Sequence, residues 1–331
     1  MASKTPSLIS PSAQGVLDDL AGWKPAADAS AADEVWLASF RSQTAALARF
    51  SGVAERLHEV RHVFADSPNG PLPIRIYRPS PGYLPVLLHI RGGGGIAGSL
   101  DAHDAALRAL AKTTGWAVAA PDYRLAPEAP FPAQLDDSEV ALRWLVKHGK
   151  EWALDADRLV VSGDSIGGTL ATALAVRARD AQIPLAGQIL LFPNVDLRQD
   201  APYHSRQTEN GRIIEQDDLE RQIDVYLNRS ADRLNPEASP LLQLAPSIGE
   251  PILLVTCSAD PLRDEGQTYG CQLLAAGARL HEECLEGALH AVLQMRGRVK
   301  EADTLFERIS HWLFDVEGVD RRRSWSPSNE P

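Results

Sequence analysis

The sequence contains few cysteines and no pattern that would give them a structural role. Three cysteines occur in 331 residues, at positions 257, 271 and 284. They form no Cys-x-x-Cys pair and no Cys/His cluster, which excludes a disulfide framework and argues against a zinc site. We therefore expect buried free thiols, a reducing compartment and no bound metal.

Long hydrophobic runs and an excess of basic residues are also missing. No stretch approaches the roughly 18 continuous apolar residues of a membrane-spanning helix, and the N-terminal residues 1–8 lack the apolar segment of a signal peptide. Lys and Arg number 33 against 44 Asp and Glu, so the net charge is −11. Such a surface disfavours nucleic acids and anionic membranes. These features predict a soluble, cytoplasmic protein that binds neither.

The hydrophobic residues present, 44% of the chain, are enough for a large core. Short apolar runs alternate with amphipathic helical segments, which is typical of a mostly parallel sheet covered by helices on both faces. The runs lie near residues 86–90, 116–120, 158–162, 188–192 and 251–257, and the helical segments near 103–113, 134–147, 167–179, 264–276 and 300–314. The pattern predicts an α/β fold.

One serine is placed where a predicted strand ends and a helix begins. Residues 163–168 read Gly-Asp-Ser-Ile-Gly-Gly directly after the apolar run Leu159-Val-Val161. Glycines on both sides allow the sharp turn that exposes the hydroxyl of Ser165 and aims the N–H of Ile166 at a developing oxyanion. The motif predicts an activated nucleophile.

A glycine-rich segment, Arg91-Gly-Gly-Gly-Gly95, follows an earlier predicted strand. Consecutive glycines leave backbone N–H groups uncovered, and two of them can donate to one oxygen. The Lys-Ser/Thr ending of a phosphate-binding loop is missing, so phosphate binding is disfavoured.

An acid and a base follow in the order that serine hydrolases of the α/β-hydrolase type require. Asp260 lies in the loop after the predicted strand 251–257, and His290 lies in a later loop. Asp196, which follows the strand near 188–192, is the alternative acid.

Together with Asp122-Tyr-Arg-Leu-Ala-Pro-Glu128 and Asp260-Pro-Leu-Arg-Asp264, these motifs make the chain resemble the hormone-sensitive-lipase-like bacterial carboxylesterases over residues 60 to 315. The resemblance implies an α/β-hydrolase fold with a mostly parallel eight-stranded sheet and a helical cap. Residues 1–58 are then a cap segment, 59–316 the catalytic domain with 194–245 contributing to the cap, and 317–331 a disordered tail.

The resemblance also implies roles for single residues. Ser165, His290 and Asp260 form the catalytic triad, and the N–H groups of Gly93, Gly94 and Ile166 form the oxyanion hole. Two positions depart from the family, which has His and an aromatic residue where this chain has Arg91 and Gly95. Arg91 either supports the loop or binds an acidic group of the substrate. Without an aromatic wall at Gly95, we expect a wider pocket and a less ordered loop.

These observations predict a cofactor-free ester hydrolase that cleaves small esters with short to medium acyl chains through an acyl-enzyme. An amidase or peptidase on the same fold is the alternative enzyme. A small-molecule binder without turnover is the alternative of another class. Relatives often form homodimers, but the sequence does not fix the oligomeric state.

Overall fold

The computed structural model describes residues 6–22, 33–199, 201–243 and 249–324. Eight strands form one sheet: β1 Glu59–Ala65, β2 Leu72–Arg78, β3 Leu84–Ile90, β4 Ala117–Pro121, β5 Leu154–Asp164, β6 Gly187–Leu191, β7 Ile252–Ala259 and β8 Leu280–Leu289. The order of the strands across the sheet is β1-β2-β4-β3-β5-β6-β7-β8. Strand β2 runs antiparallel to both β1 and β4, and the remaining neighbours are parallel.

Within the described residues, the helices are α1 Pro11–Ala21, α2 Asp33–Ala46, α3 Leu100–Thr114, α4 Ala133–His148, α5 Ile166–Asp180, α6 Ser205–Thr208, α7 Gln216–Leu227, α8 Arg263–Ala275 and α9 Lys300–Ser324. Helices and parallel strands alternate along most of the chain, so the predicted α/β-hydrolase fold with an eight-stranded sheet is confirmed. No helix of the described part is both long enough and apolar enough to cross a bilayer.

The sheet is covered on both faces, and its central strands place apolar side chains on both of them. Strand β7 is buried along its whole length. Its residues Leu253 and Val255 belong to one hydrophobic cluster, whereas Ile252 and Leu254 belong to the cluster on the other face. Successive side chains of a strand point to opposite faces, so an uninterrupted apolar run is what a doubly covered sheet requires.

The C-terminal segment and one cysteine differ from the sequence-based expectations. Helix α9 continues to Ser324, so the first part of the segment 317–331 is helical rather than irregular, and its last residues, 325–331, lie outside the described residues. Of the three cysteines, Cys257 is buried and Cys284 is half-buried, but Cys271 is exposed. The last one therefore departs from the expected burial.

The two segments expected to form a cap contact each other through α2 and α7. Trp36 Nε1 donates a 2.8 Å hydrogen bond to Asp218, and the guanidinium of Arg221 lies 4.6 Å from the centre of the Trp36 ring. Residues 1–5 and 23–32 of the first segment, and 200 and 244–248 at the second, lie outside the described residues.

Helix α2 also contacts the loops at the edge of the sheet through Arg41. Its guanidinium donates to the backbone oxygens of Ile96 at 2.8 Å and Ala126 at 3.0 Å. The same group pairs with both oxygens of Glu128, and this hydrogen bonding lowers the pKa of Glu128 to about 2. Arg41 therefore connects α2 both to the segment 122–128 and to the loop after β3.

Leu254→Ala should lower the free energy of unfolding by about 2–5 kcal/mol, because it removes buried methyl groups and leaves a cavity in the centre of the sheet. The measurement is urea denaturation followed by circular dichroism. Leu274→Ala, at a side chain that is 53% exposed, is the matched control and should change stability by no more than about 0.5 kcal/mol. Equal effects of the two substitutions would contradict the assignment of the core.

Candidate active site

Ser165 lies in a strained turn between β5 and α5. Its backbone angles are φ 57° and ψ −125°, a region that residues other than glycine seldom adopt. The turn is held by a 2.9 Å hydrogen bond from the N–H of Ser165 to the carbonyl of Leu191. A Cβ atom at Gly163 would collide with the carbonyl of Gly167, so the two glycines that flank the serine are needed for the turn to close.

His290 connects the serine to a buried carboxylate. Its Nε2 lies 3.0 Å from Ser165 Oγ, and its Nδ1 lies 2.8 Å from Asp260 Oδ2. Asp260 is fully buried, and its other oxygen accepts a 2.8 Å hydrogen bond from the N–H of Leu262. The imidazole packs edge-on against Phe192, with 5.1 Å between ring centres. This arrangement fixes both ring nitrogens and provides a route for a proton away from the serine.

The alternative acid, Asp196, lies in a different environment. Its carboxylate is fully buried and binds the guanidinium of Arg198 and the hydroxyl of Tyr203, at 2.7 Å each for Oδ2. The structure therefore brings Asp260 to His290 and places Asp196 in a separate ion pair.

The glycine-rich loop after β3 lies beside the serine. Gly93 and Gly94 have φ of 115° and 64°, and the carbonyl of Gly93 accepts hydrogen bonds from Ile96 and Ala97. Within the described residues, no backbone acceptor binds the N–H of Gly93 or of Gly94. Ile166, the first residue of α5, has no acceptor one turn earlier in its own helix. Three N–H groups next to the serine are thus available to a ligand.

The residue before the serine ties this loop in place. Asp164 Oδ1 accepts a 3.0 Å hydrogen bond from the N–H of Gly92 and lies 3.2 Å from His89 Nε2, and its Oδ2 is 3.9 Å from His103 Nε2. Burial alone raises the pKa of Asp164, but the two nearby histidines, of which His89 is within hydrogen-bond distance, outweigh it and hold that pKa well below its usual range. The sequence gave no signal for either histidine.

Arg91 lies beneath the loop, not in the site. Its side chain is only 1% exposed, and it donates to the carbonyls of Ala97 at 3.1 Å and Tyr123 at 3.3 Å. The guanidinium also stacks 4.0 Å from the centre of the Tyr123 ring. Of the two roles considered for this arginine, these contacts favour support of the loop.

The space beside the Cα atom of Gly95 is occupied by another side chain. The ring of Tyr226, from α7, lies so close that a Cβ atom at Gly95 would overlap its Cδ2, and the carbonyl of Gly95 accepts a 3.0 Å hydrogen bond from the N–H of Ala126. Tyr226 therefore fills the space where a wider pocket was expected. The expectation of a less ordered loop stays a prediction. An aromatic ring from a distant helix covers the loop at the position where the family has its own aromatic side chain.

Ser165 and His290 open into a cavity of about 190 Å³. Four separate segments form most of its walls. They are α1, α2, the loop after β3, and the stretch from Gly211 to α7, contributing Leu17, Leu20, Phe40, Gln43, Thr44, Leu47, Gly93, Gly94, Ile213, Ile214, Asp218 and Gln222. Sequence analysis placed these walls in the cap segments without identifying the residues. Among the described residues, no group of three or more His, Cys, Asp or Glu side chains could hold a metal ion.

Comparison with known proteins agrees with this geometry. Residues 87–294 match a family described as having the α/β-hydrolase fold. The chain belongs to the α/β-hydrolase family. Within this family, the resemblance to hormone-sensitive-lipase-like carboxylesterases is also confirmed.

Two curated relatives and one solved structure show how far the similarity extends. An ethyl acetate hydrolase of Pseudomonas putida is 39% identical over 239 residues, which cover 70% of this chain and 74% of the relative. Esterase LipI of Mycobacterium tuberculosis is 34% identical, with coverage of 72% and 76%. A hyperthermophilic esterase from the archaeon Pyrobaculum calidifontis superimposes with a TM-score of 0.85 at 30% identity, covering 93% of this α/β hydrolase and 99% of that chain.

Gly95→Ala should lower the free energy of unfolding more than Gly70→Ala does. Both glycines have positive φ, of 73° and 102°, but only Gly95 faces Tyr226, whereas nothing lies within 4 Å of a Cβ at Gly70. The shared backbone strain costs about 1–2 kcal/mol, and overpacking against Tyr226 should add about 1–3 kcal/mol. Thermal and urea unfolding of the two variants would test this, and equal losses would mean that Tyr226 does not cover the loop.

Proposed function

We propose that this α/β hydrolase is a carboxylic ester hydrolase of small esters that works through a Ser-His-Asp acyl-enzyme mechanism. The observation that carries the proposal is the chain of hydrogen bonds from Ser165 through His290 to Asp260, at 3.0 and 2.8 Å, in a cavity bordered by unbonded N–H groups. The printed names of the relatives, an ethyl acetate hydrolase and an esterase, support the same activity.

In the first half of the reaction, Ser165 Oγ attacks the ester carbonyl carbon while His290 Nε2 takes its proton. A serine hydroxyl is a weak nucleophile at its ordinary pKa, so it needs this neighbouring base. Asp260 keeps the imidazole in the correct tautomer and stabilises the imidazolium. The tetrahedral intermediate then collapses, His290 returns the proton to the leaving alcohol, and an acyl group remains on Ser165.

In the second half, water attacks the acyl carbon, and His290 accepts a proton from it. Collapse of the second intermediate breaks the bond to Ser165 Oγ, and the serine regains its proton from the imidazolium. The products are the free acid and the alcohol. Neither half requires a metal or an organic cofactor.

In both halves, negative charge develops on the former carbonyl oxygen. We assign the N–H groups of Gly93, Gly94 and Ile166 as its hydrogen-bond donors, since they border Ser165 and have no other backbone acceptor in the part of the chain that the structure describes. One such donor contributes about 2.7–4 kcal/mol to the stability of the transition state. Arg91, bound beneath the loop to the carbonyls of Ala97 and Tyr123, then helps to hold these donors in position and does not contact the substrate.

The size of the cavity supports short to medium acyl chains. Its volume of about 190 Å³ is below the roughly 300–1,000 Å³ of pockets that bind drug-sized ligands.

The walls from α1, α2 and α7 support the assignment of residues 1–58 and 194–245 as the cap. A cytoplasmic location is supported by the exposed thiol of Cys271, which an oxidising compartment disfavours. Homodimer formation stays a prediction, which size-exclusion chromatography with light scattering would test.

Ser165→Ala should lower turnover of p-nitrophenyl acetate or butyrate by roughly 10⁴-fold or more, because it removes the nucleophile. Ser67→Ala, in the turn between β1 and β2, is the control and should retain full turnover. An organophosphate should label the wild-type protein on Ser165, as mass spectrometry of tryptic peptides would show. Labelling elsewhere, or turnover by the alanine variant, would refute the assignment.

The same assay should include p-nitrophenyl esters up to palmitate and a matched anilide. We expect the highest kcat/KM for short esters and little hydrolysis of the anilide. Preference for the anilide would instead indicate an amidase, and binding without hydrolysis of any ester would indicate a small-molecule binder.

Asp260→Asn should lower kcat by about 10³ to 10⁴, because an amide favours the wrong imidazole tautomer. Asp196→Asn is the matched comparison, since it also replaces a fully buried carboxylate. It should lower stability through loss of the ion pair with Arg198 and change kcat per folded molecule far less. The opposite ranking of the two kcat values would transfer the role of the acid to Asp196.

A further inference from the structure

Helix α7 approaches the glycine-rich loop closely at two successive glycines. Gln222 and Tyr226 are four residues apart and so lie on one face of the helix. A Cβ atom at Gly94 would lie 2.6 Å from Gln222 Oε1, and one at Gly95 would overlap the Tyr226 ring. The amide of Gln222 therefore lies directly over the Cα atom of Gly94, one of the residues assigned to bind the oxyanion.

The amide of Gln222 is available to a ligand. The residue lines the cavity together with Ser165 and His290, and it is 8% exposed. Within the described part of the chain, its side chain has no hydrogen-bond partner. A bound group that donates to or accepts from this amide would replace the hydration that the amide loses when a ligand fills the cavity.

Several polar side chains around the cavity are used in hydrogen bonds to the protein, although His103 Nε2, which is buried, has no partner among the described residues. Gln43 binds Ser39 Oγ at 3.1 Å, and Thr44 binds the carbonyl of Phe40 at 2.9 Å. Asp218 accepts from Trp36, and Gln294 donates to the carbonyl of Ala102. Glu215 also has a partner. Gln222 thus differs from these neighbours in facing the substrate space with a free amide.

We infer that Gln222 recognises a hydroxyl group on the acyl part of the substrate, so that the preferred substrates are esters of short hydroxy acids. This inference rests on the proposed esterase function. An amide both donates and accepts hydrogen bonds, and a hydroxyl group is the small neutral substituent that does the same. An anionic substituent is disfavoured because Asp164, Glu215 and Asp218 line the same cavity.

The position of Gln222 assigns this contact to the acyl part. The leaving alcohol must lie near His290 Nε2, which protonates it, whereas Gln222 contacts the loop that holds the carbonyl oxygen. A hydroxyl group one or two carbons from the carbonyl carbon would lie within reach of an amide over Gly94. Tyr226, one turn further along α7, is 1% exposed and packs against Phe131, which holds this part of the helix in place.

The test compares methyl 3-hydroxybutyrate with methyl butyrate on the wild-type protein and on Gln222→Met, with kcat/KM measured by titration of released acid. Methionine matches the length of glutamine but cannot replace its hydrogen bonds. The ratio of the two kcat/KM values should fall by about tenfold in the variant, which corresponds to about 1.4 kcal/mol. Comparing ratios between the two proteins cancels the intrinsic reactivity of each ester.

Gln43→Met is the matched control, because it removes a cavity glutamine that is already bound to Ser39, and it should leave the ratio as in the wild type. A ratio that is also unchanged in Gln222→Met, including an equal loss on both esters, would overturn the inference while the esterase function stands. If the wild-type protein hydrolyses neither these esters nor p-nitrophenyl butyrate, the proposed function itself fails, and the substrate class falls with it.

Discussion

The buried carboxylate of Asp164 holds together the two parts of the site that must keep a fixed distance. It precedes Ser165 in the chain, so its position is set by the strained turn, and it accepts a hydrogen bond from the N–H of Gly92 at 3.0 Å. The nucleophile and the loop of proposed oxyanion donors are thereby joined through one side chain. His89 and His103 stabilise the ionised form of Asp164, since an unpaired charge at this depth would be unfavourable. Donors that stabilise a transition state are effective only when they are held in place beforehand.

The same loop is covered from the other side by α7, and this explains its unusual sequence. Tyr226 occupies the space beside Gly95, which leaves no room for a Cβ atom there, and the flexible side chain of Gln222 lies over Gly94. Arg91 contributes from below through the carbonyls of Ala97 and Tyr123. The two departures from the family pattern are therefore parts of one packing arrangement. A change at Gly95 alone does not restore the family geometry, because Tyr226 already occupies that volume.

Much of this fold could be predicted from the sequence because the signals are local. The apolar run of β7 and the glycines around Ser165 each specify their own conformation, and parallel strands bring their carboxyl ends to one edge, where Asp260 and His290 meet Ser165. The cover over Gly95 could not be predicted, because Tyr226 is 131 positions away in the chain and nothing local to either residue records the contact. His103 was missed for a similar reason, since it lies in an ordinary amphipathic helix and only the folded chain brings it near Asp164.

The position of each cavity wall determines how a substitution there could change substrate preference. Most walls of the cavity come from α1, α2 and the stretch from Gly211 to α7. Helix α2 meets α7 through contacts such as Trp36 with Asp218 and not through the sheet. Substitutions at Leu17 or Phe40 would therefore alter the shape of the cavity and leave the bonds between Ser165, His290 and Asp260 in place. Gln222 and Tyr226 are different, because they touch the donor loop itself. Any change of specificity made through α7 must also preserve the geometry of Gly94 and Gly95, so this helix couples the choice of substrate to the rate of the reaction.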